Sequence, residues 1–220
     1  MADSRPFRSA PPAGAKVSDL IRFGAQQFER AGLCYGHGTD NSIDDAAALV
    51  FHVLGLDHDR AAEAYGFVPD EAGVRRVLDT FAERIARRVP AAYLMGRMWF
   101  AGLEFEVDDR VIVPRSPFAE LIDAHFRPWI DPACVSSILD IGTGSGCIAI
   151  ACALAFPSAS VDAVDVSPRA LEVARRNALS NAQVGFTGVN STAATVGALK
   201  QALRSAETAL ASNKLGQEVG

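Results

Sequence analysis

Residues 138–165 limit more than any other stretch what this chain can fold into. Ile138 to Ile141 reads as a short buried strand, and Gly142, Gly144 and Gly146 follow at alternate positions. The apolar run from Cys147 to Phe156 reads as a helix, and Ser160 to Val164 as a second strand that delivers Asp165. Strand, glycine turn, helix, strand and terminal acid form the βαβ unit with which parallel sheets handle nucleotides. The fold class expected is therefore α/β. Glycines let the backbone come close to a ligand, and the N-terminus of the following helix offers free N–H groups. Asp165 lies about twenty residues past the glycines, where such units place the carboxylate that grips ribose hydroxyls.

The glycine spacing bears on which nucleotide. A dinucleotide fingerprint, G-x-G-x-x-G, read from Gly142 and Gly144 needs its third glycine at 147, where the chain has Cys147. The third glycine is Gly146 instead, and Asp140 stands two residues before the first. A carboxylate there does little for a pyrophosphate but attracts an ammonium and a sulfonium in a partly dry pocket. The pattern D-x-G-x-G-x-G, with Thr143 and Ser145 as its intervening residues, favours S-adenosylmethionine. A dinucleotide, and hence an oxidoreductase, remains the alternative, as does a glycine turn that holds no ligand.

The rest of the chain narrows the class. At 220 residues it has room for one large or two small domains with a real core. A net charge of −5 argues against a general nucleic-acid binder, which would show a basic excess, but leaves a basic protein open as substrate. Cys34, Cys134, Cys147 and Cys152 make no C-x-x-C pair and no metal-ligand spacing. That usage fits a reducing, cytoplasmic setting, with Cys147 and Cys152 as small apolar core residues. Met1 to Lys16, rich in Pro and Ala, reads as a loose tail rather than a signal sequence. No stretch reaches the about eighteen apolar residues of a membrane span.

In chain order, Ser18 can cap a helix with Leu20, Phe23, Phe28 and Ala31 on one face and Gly32 as its stop. His37 falls in the glycine-rich loop 33–41 with no paired carboxylate or cysteine, so no chemistry is assigned to it. Helices follow from about Asp44 to Leu54, over Arg60 to Tyr65, and from Asp70 to Arg88 on the stripe Val74, Val77, Leu78, Phe81 and Ile85. Arg75, Arg76, Arg84, Arg87 and Arg88 read as a solvated face balanced by acids rather than a binding patch. Leu103, Phe105 and Val107 alternate with acids, Asp108-Asp109 reads as a turn, and Val111 to Val113 as the returning strand of a β-hairpin. Ser116-Pro117 and Ser167-Pro168 each read as cap and first residue of a helix, the first running through Leu121, Ile122 and Phe126. After Asn181 the chain turns to Ala, Gly, Ser and Thr, with a possible strand over 183–189 and a narrow stripe at Val196, Leu199, Leu203 and Leu210.

Several separated segments resemble one family. They are Ala92-Tyr93-Leu94, Trp99-Phe100-Ala101-Gly102-Leu103, Arg110-Val111-Ile112-Val113-Pro114-Arg115 and the turn from Asp140 to Gly146. Together they resemble the glutamine N5-methyltransferases, which methylate a glutamine side-chain amide with adenosylmethionine as donor. Ser116-Pro117-Phe118-Ala119-Glu120-Leu121-Ile122 and Tyr35-Gly36-His37-Gly38-Thr39-Asp40-Asn41 resemble the branch that acts on the third protein of the large ribosomal subunit. The resemblance implies a helical substrate-recognition module over 18–95 behind the tail 1–17. A hairpin and linker helix would cover 96–132, and the first part of a Rossmann-like methyltransferase sheet 133–181. Asp140, Gly142, Thr143, Gly144, Ser145 and Gly146 would hold the methionine part of the donor, and Asp165 its ribose. The implied partner is the ribosomal protein, with no direct contact to nucleic acid and none to membrane.

The family carries its chemistry on Asn-Pro-Pro-Tyr, whose acceptors aim a poorly nucleophilic amide nitrogen at the methyl carbon. Here Asn41, Asn177, Asn181, Asn190 and Asn213 all lack a following proline, so no catalytic residue is assigned. A strand–helix unit with its return takes about thirty residues, and the roughly eighty from Ile138 onward suffice for about three strands. The expectation is a truncated sheet, a tail over 182–220 that departs from the family, and little or no turnover. The first strand would keep an open edge prone to pairing with another chain. A non-catalytic fragment that engages the ribosomal protein is the other reading of the same features.

Overall fold

The computed structural model describes Phe7, residues 10–36 and residues 38–181. His37, most of the N-terminal tail, the possible strand at 183–189 and the apolar stripe beyond it lie outside the described residues. The chain divides into two units. Among the described residues, the first runs to Met98 and takes in Val107–Asp109 and Val113–Arg115. The second takes Trp99–Glu106, Arg110–Ile112 and the residues from Ser116 on.

The first unit is helical: α1 Val17–Arg30, α2 Ser42–Leu54, α3 Ala61–Ala64 after a 3-10 turn at His58–Arg60, α4 Glu71–Arg87 and α5 Ala91–Met95. Ser18 does not cap α1. Val17 is already helical and fully buried, with its N–H donating to the Phe67 carbonyl, so the start moves upstream and Asp19 accepts from the Lys16 N–H at 3.1 Å. α2 begins before Asp44 because the Asn41 side chain accepts from the Asp44 N–H at 2.9 Å. Asp70 caps α4 by accepting from Gly73 N–H at 2.7 Å.

Phe28, Phe51, Phe81, Leu20 and Leu49 fill the core of this unit. Phe28 and Phe81 meet edge to face at 5.2 Å, and a Cβ on Gly24 would come within 2.4 Å of the Phe81 ring, so glycine is what lets α1 and α4 close. The arginine face of α4 corrects one expectation. Arg84 is not solvated: it is 3% exposed, and its Nε donates to Asp45 on α2 at 2.8 Å. Thr39 donates to the other Asp45 oxygen at 2.6 Å. Arg88 turns back to donate to the Ala31 and Gly32 carbonyls at the end of α1.

The second unit begins within the hairpin β1 Arg97–Phe100 and β2 Leu103–Glu106. It continues through α6 Phe118–Asp123, β3 Ser137–Ile141, α7 Cys147–Ala155, β4 Ser160–Val164 and α8 Pro168–Ser180. The hairpin differs from its sequence reading. β2 pairs with β1, not with residues 111–113, because Ala101 (φ 48°) and Gly102 (φ 77°) make the two-residue turn whose twist suits a hairpin. Val111 and Val113 are buried without forming a strand. α6 stops short of Phe126 because His125 and Phe126 take left-handed backbone, φ 52° and 55°.

β3 and β4 run parallel, Ser137 opposite Ser160 through Ile141 opposite Val164, with α7 as the crossover. Among the described residues this is the start of a Rossmann-like fold, mixed α/β, with two parallel strands and their crossover helix. β3 is not the buried strand its composition suggests. Among the described residues it pairs only with β4; Ile138 packs against the cluster around Ile150 of α7, while Leu139 and Ile141 on the other face are 49% and 55% exposed. None of the described helices is long and apolar enough to cross a membrane.

Candidate functional site

The glycine turn hangs between the ends of β3 and β4. Gly142 and Thr143 both donate to the Val164 carbonyl, at 2.8 and 3.0 Å, so the chain leaves β3 tethered to the last residue of its neighbour. Gly146 donates to the Thr143 carbonyl at 2.8 Å and, at φ 82°, becomes the left-handed residue from which α7 starts. A Cβ on Gly146 would lie 3.2 Å from that of Ala174, so this glycine sets how closely the turn packs on α8. Gly142 and Gly144 also have positive φ, but a Cβ on either would meet nothing within 4 Å. Their open faces form the cradle that a bound group would fill.

Two carboxylates flank the turn. Asp140, the fourth residue of β3, accepts from the Thr143 hydroxyl at 2.7 Å. Burial pushes its carboxyl above the ordinary 3.8; bonds from Thr143 and the Ala149 backbone pull it partly back, and the negative charge of Asp165 adds to the rise. An incoming cation would relieve both the burial and the repulsion. Asp165 follows β4 directly. One of its oxygens accepts from Gly144 N–H at 2.9 Å and the other from Ser167 N–H at 2.8 Å, so it clamps the turn to the start of α8. Each oxygen keeps a lone pair for a ligand hydroxyl. Ser167 caps α8 through the Ala170 N–H, as its position before Pro168 predicts.

All seven residues expected at the donor site, Asp140, Gly142, Thr143, Gly144, Ser145, Gly146 and Asp165, thus lie in or beside one turn. Thr143 and Ser145 are 6% and 2% exposed, so their side chains support the turn from beneath. Cys147 and Cys152 are buried in α7, where burial raises both thiols, that of Cys152 to about 11. A cleft of about 450 Å³ lined by Ala119, Ile122, Asp123, His125 and Leu154 is separate from the turn.

Sequence reasoning missed Asn177. It is fully buried on α8, and its side chain accepts from Glu106 N–H at 2.7 Å. It also donates to the Glu106 and Ser145 carbonyls, each at 2.9 Å. The signal was present: Asn177 continues the buried stripe of Ala170, Leu171, Val173 and Ala174, where an amide needs partners.

The family model described as Methyltransferase small domain matches residues 128–198. Ribosomal protein uL3 glutamine methyltransferase of Xanthomonas campestris pv. campestris is 51% identical over 162 residues, 73% of this chain and 52% of that protein. The proteins of the same name from Bordetella pertussis and Burkholderia pseudomallei are 51% and 46% identical, over 73% and 77% of this chain and 54% and 55% of theirs. The chain spans about half the length of the curated relatives it matches.

Proposed function

We propose that this chain, homologous over 73% of its length to ribosomal protein uL3 glutamine methyltransferases, carries the adenosylmethionine-binding part of such an enzyme. One observation carries the reading. Gly142 and Gly144 leave open space beside the backbone, and carboxylates close both sides of that space. Asp140 would accompany the positive charge of the donor, and Asp165 would accept from ribose hydroxyls on the lone pairs that Gly144 and Ser167 leave. When bound, adenosylmethionine supplies a methyl group activated by its sulfonium.

Residues 18–95 would recognise the ribosomal protein, and 96–132 would join that module to the donor domain of 133–181. The workplace would be the cytoplasm, where a ribosomal protein is met. The sequence contains no Asn-Pro-Pro-Tyr, so the chain alone is expected to bind donor with little or no transfer. A second reading, a non-catalytic fragment that engages uL3, draws support from the closed core of the helical unit. None of the three relatives is named for a dinucleotide reaction, and that alternative gains no support.

The test is to incubate the chain with methyl-labelled adenosylmethionine and purified uL3. Donor retained on the chain without label in uL3 is the expected result. Label in uL3 refutes the impairment, and failure to retain donor refutes the site. Capture of uL3 at equal yield by wild type and by Gly144→Val, with no transfer from either, favours the second reading.

A further inference from the structure

We infer that Asn177 is a positioning residue that joins the hairpin to the glycine turn, so that seating β2 and ordering the donor site are one event. The inference rests on the adenosylmethionine reading of that turn and adds to it a role for a residue that touches no ligand. The Asn177 side chain uses one acceptor and two donors, all three on main-chain atoms: Glu106 N–H, the Glu106 carbonyl and the Ser145 carbonyl. Ser145 sits between Gly144, which Asp165 clamps, and Gly146, which packs on Ala174 of the same helix. Glu106 is the last residue of β2. A single amide therefore fixes the strand end and the middle of the turn relative to each other.

Water cannot substitute readily, because Asn177 is fully buried. Nothing smaller or differently charged keeps the set. Alanine strands both carbonyls and the N–H. Aspartate keeps the shape and the acceptor but places a carboxylate oxygen against two carbonyl oxygens 2.9 Å away. Arg176 and Asn181 also reach the hairpin, through the Glu106 carboxylate at 2.8 Å and the Glu104 carbonyl at 3.2 Å. Those two bonds end on the hairpin, whereas the Asn177 side chain bonds both the hairpin and the turn.

The experiment compares the full chain with Asn177→Ala, Asn177→Asp and the control Val173→Ala. Val173 is buried on the same helix and would lose packing alone. Calorimetry gives affinity for adenosylhomocysteine, and amide hydrogen exchange follows Glu106 and Gly144 with and without it. Both Asn177 variants are expected to bind at least tenfold more weakly than wild type, and Val173→Ala within about twofold even where its melting temperature falls as far. In wild type the ligand is expected to slow exchange at Glu106 as well as at Gly144, and in Asn177→Asp at Gly144 alone. Undiminished affinity in both Asn177 variants, or a wild-type Glu106 amide that ignores a bound ligand, overturns the inference and leaves the donor site standing. No binding by wild type overturns the donor reading and this inference together.

Discussion

The two units solve the burial problem to different degrees. In the helical unit, aromatic and aliphatic side chains from α1, α2 and α4 close on one another, and the deeply buried charges Arg84 and Asp45 are paired with each other. In the second unit the residues nearest the proposed chemistry are also well held, but β3 shows Leu139 and Ile141 to solvent on one face. A helical module can complete a core with its own stripes, whereas a parallel sheet needs cover on both faces. What the difference teaches is that, among the described residues, the glycine turn is held by polar clamps at Asp165 and Asn177 beside a sheet of only two strands, β3 and β4.

Breaking the helical unit should cost most. Arg84→Ala leaves Asp45 buried with Thr39 as its remaining side-chain partner, and a loss of about 3–5 kcal/mol is expected in urea unfolding followed by circular dichroism. The double variant Asp45→Asn with Arg84→Met should recover a large share of that loss, because the uncompensated charge is gone. Donor affinity should be left alone by either change, if the unit folds as its closed core implies.

Gly146→Ala comes next. Its left-handed backbone costs a side chain about 1–2 kcal/mol, and the Cβ also presses on Ala174 at 3.2 Å. Both melting temperature and adenosylhomocysteine affinity should fall, since the strain sits in the turn itself.

Asp140→Asn should separate stability from binding. The raised carboxyl means that the folded chain holds this proton more tightly than the unfolded one. Its favourable contribution is complete below the ordinary 3.8, fades as pH rises through the folded value, and leaves a constant burial penalty above it. The asparagine variant should therefore be the more stable at neutral pH, and its advantage in melting temperature should shrink as pH falls through the folded value toward 3.8. It should at the same time bind adenosylhomocysteine more weakly.

The smallest effect belongs to the exposed face of β3. Leu139→Lys should change stability by no more than about 0.5 kcal/mol. It should, however, reduce any self-association seen by sedimentation velocity, because a charge on an open strand blocks edge pairing. A wild-type chain that stays monomeric at high concentration would remove the reason for expecting that pairing.

What could be read from sequence was what neighbours in the chain decide. Ser167 before Pro168 was legible as a cap because its bond closes within three residues. The turn from Asp140 to Gly146 was legible because its glycines, strand and acid share one short span. The hairpin was misread because two adjacent acids look like a turn, while Ala101-Gly102 supplies the backbone angles a tight turn needs. Arg84 and Asn177 were hidden for another reason. Their partners lie 39 residues away at Asp45 and 71 away at Glu106, and only the fold brings those pairs together.

Titration calorimetry of the full chain with adenosylhomocysteine, and separately with NADH, tests the account where it is most exposed. A site built of three alternate glycines between Asp140 and Asp165 should give saturable heat with adenosylhomocysteine and none with NADH. Saturable heat with NADH and silence with adenosylhomocysteine would contradict it.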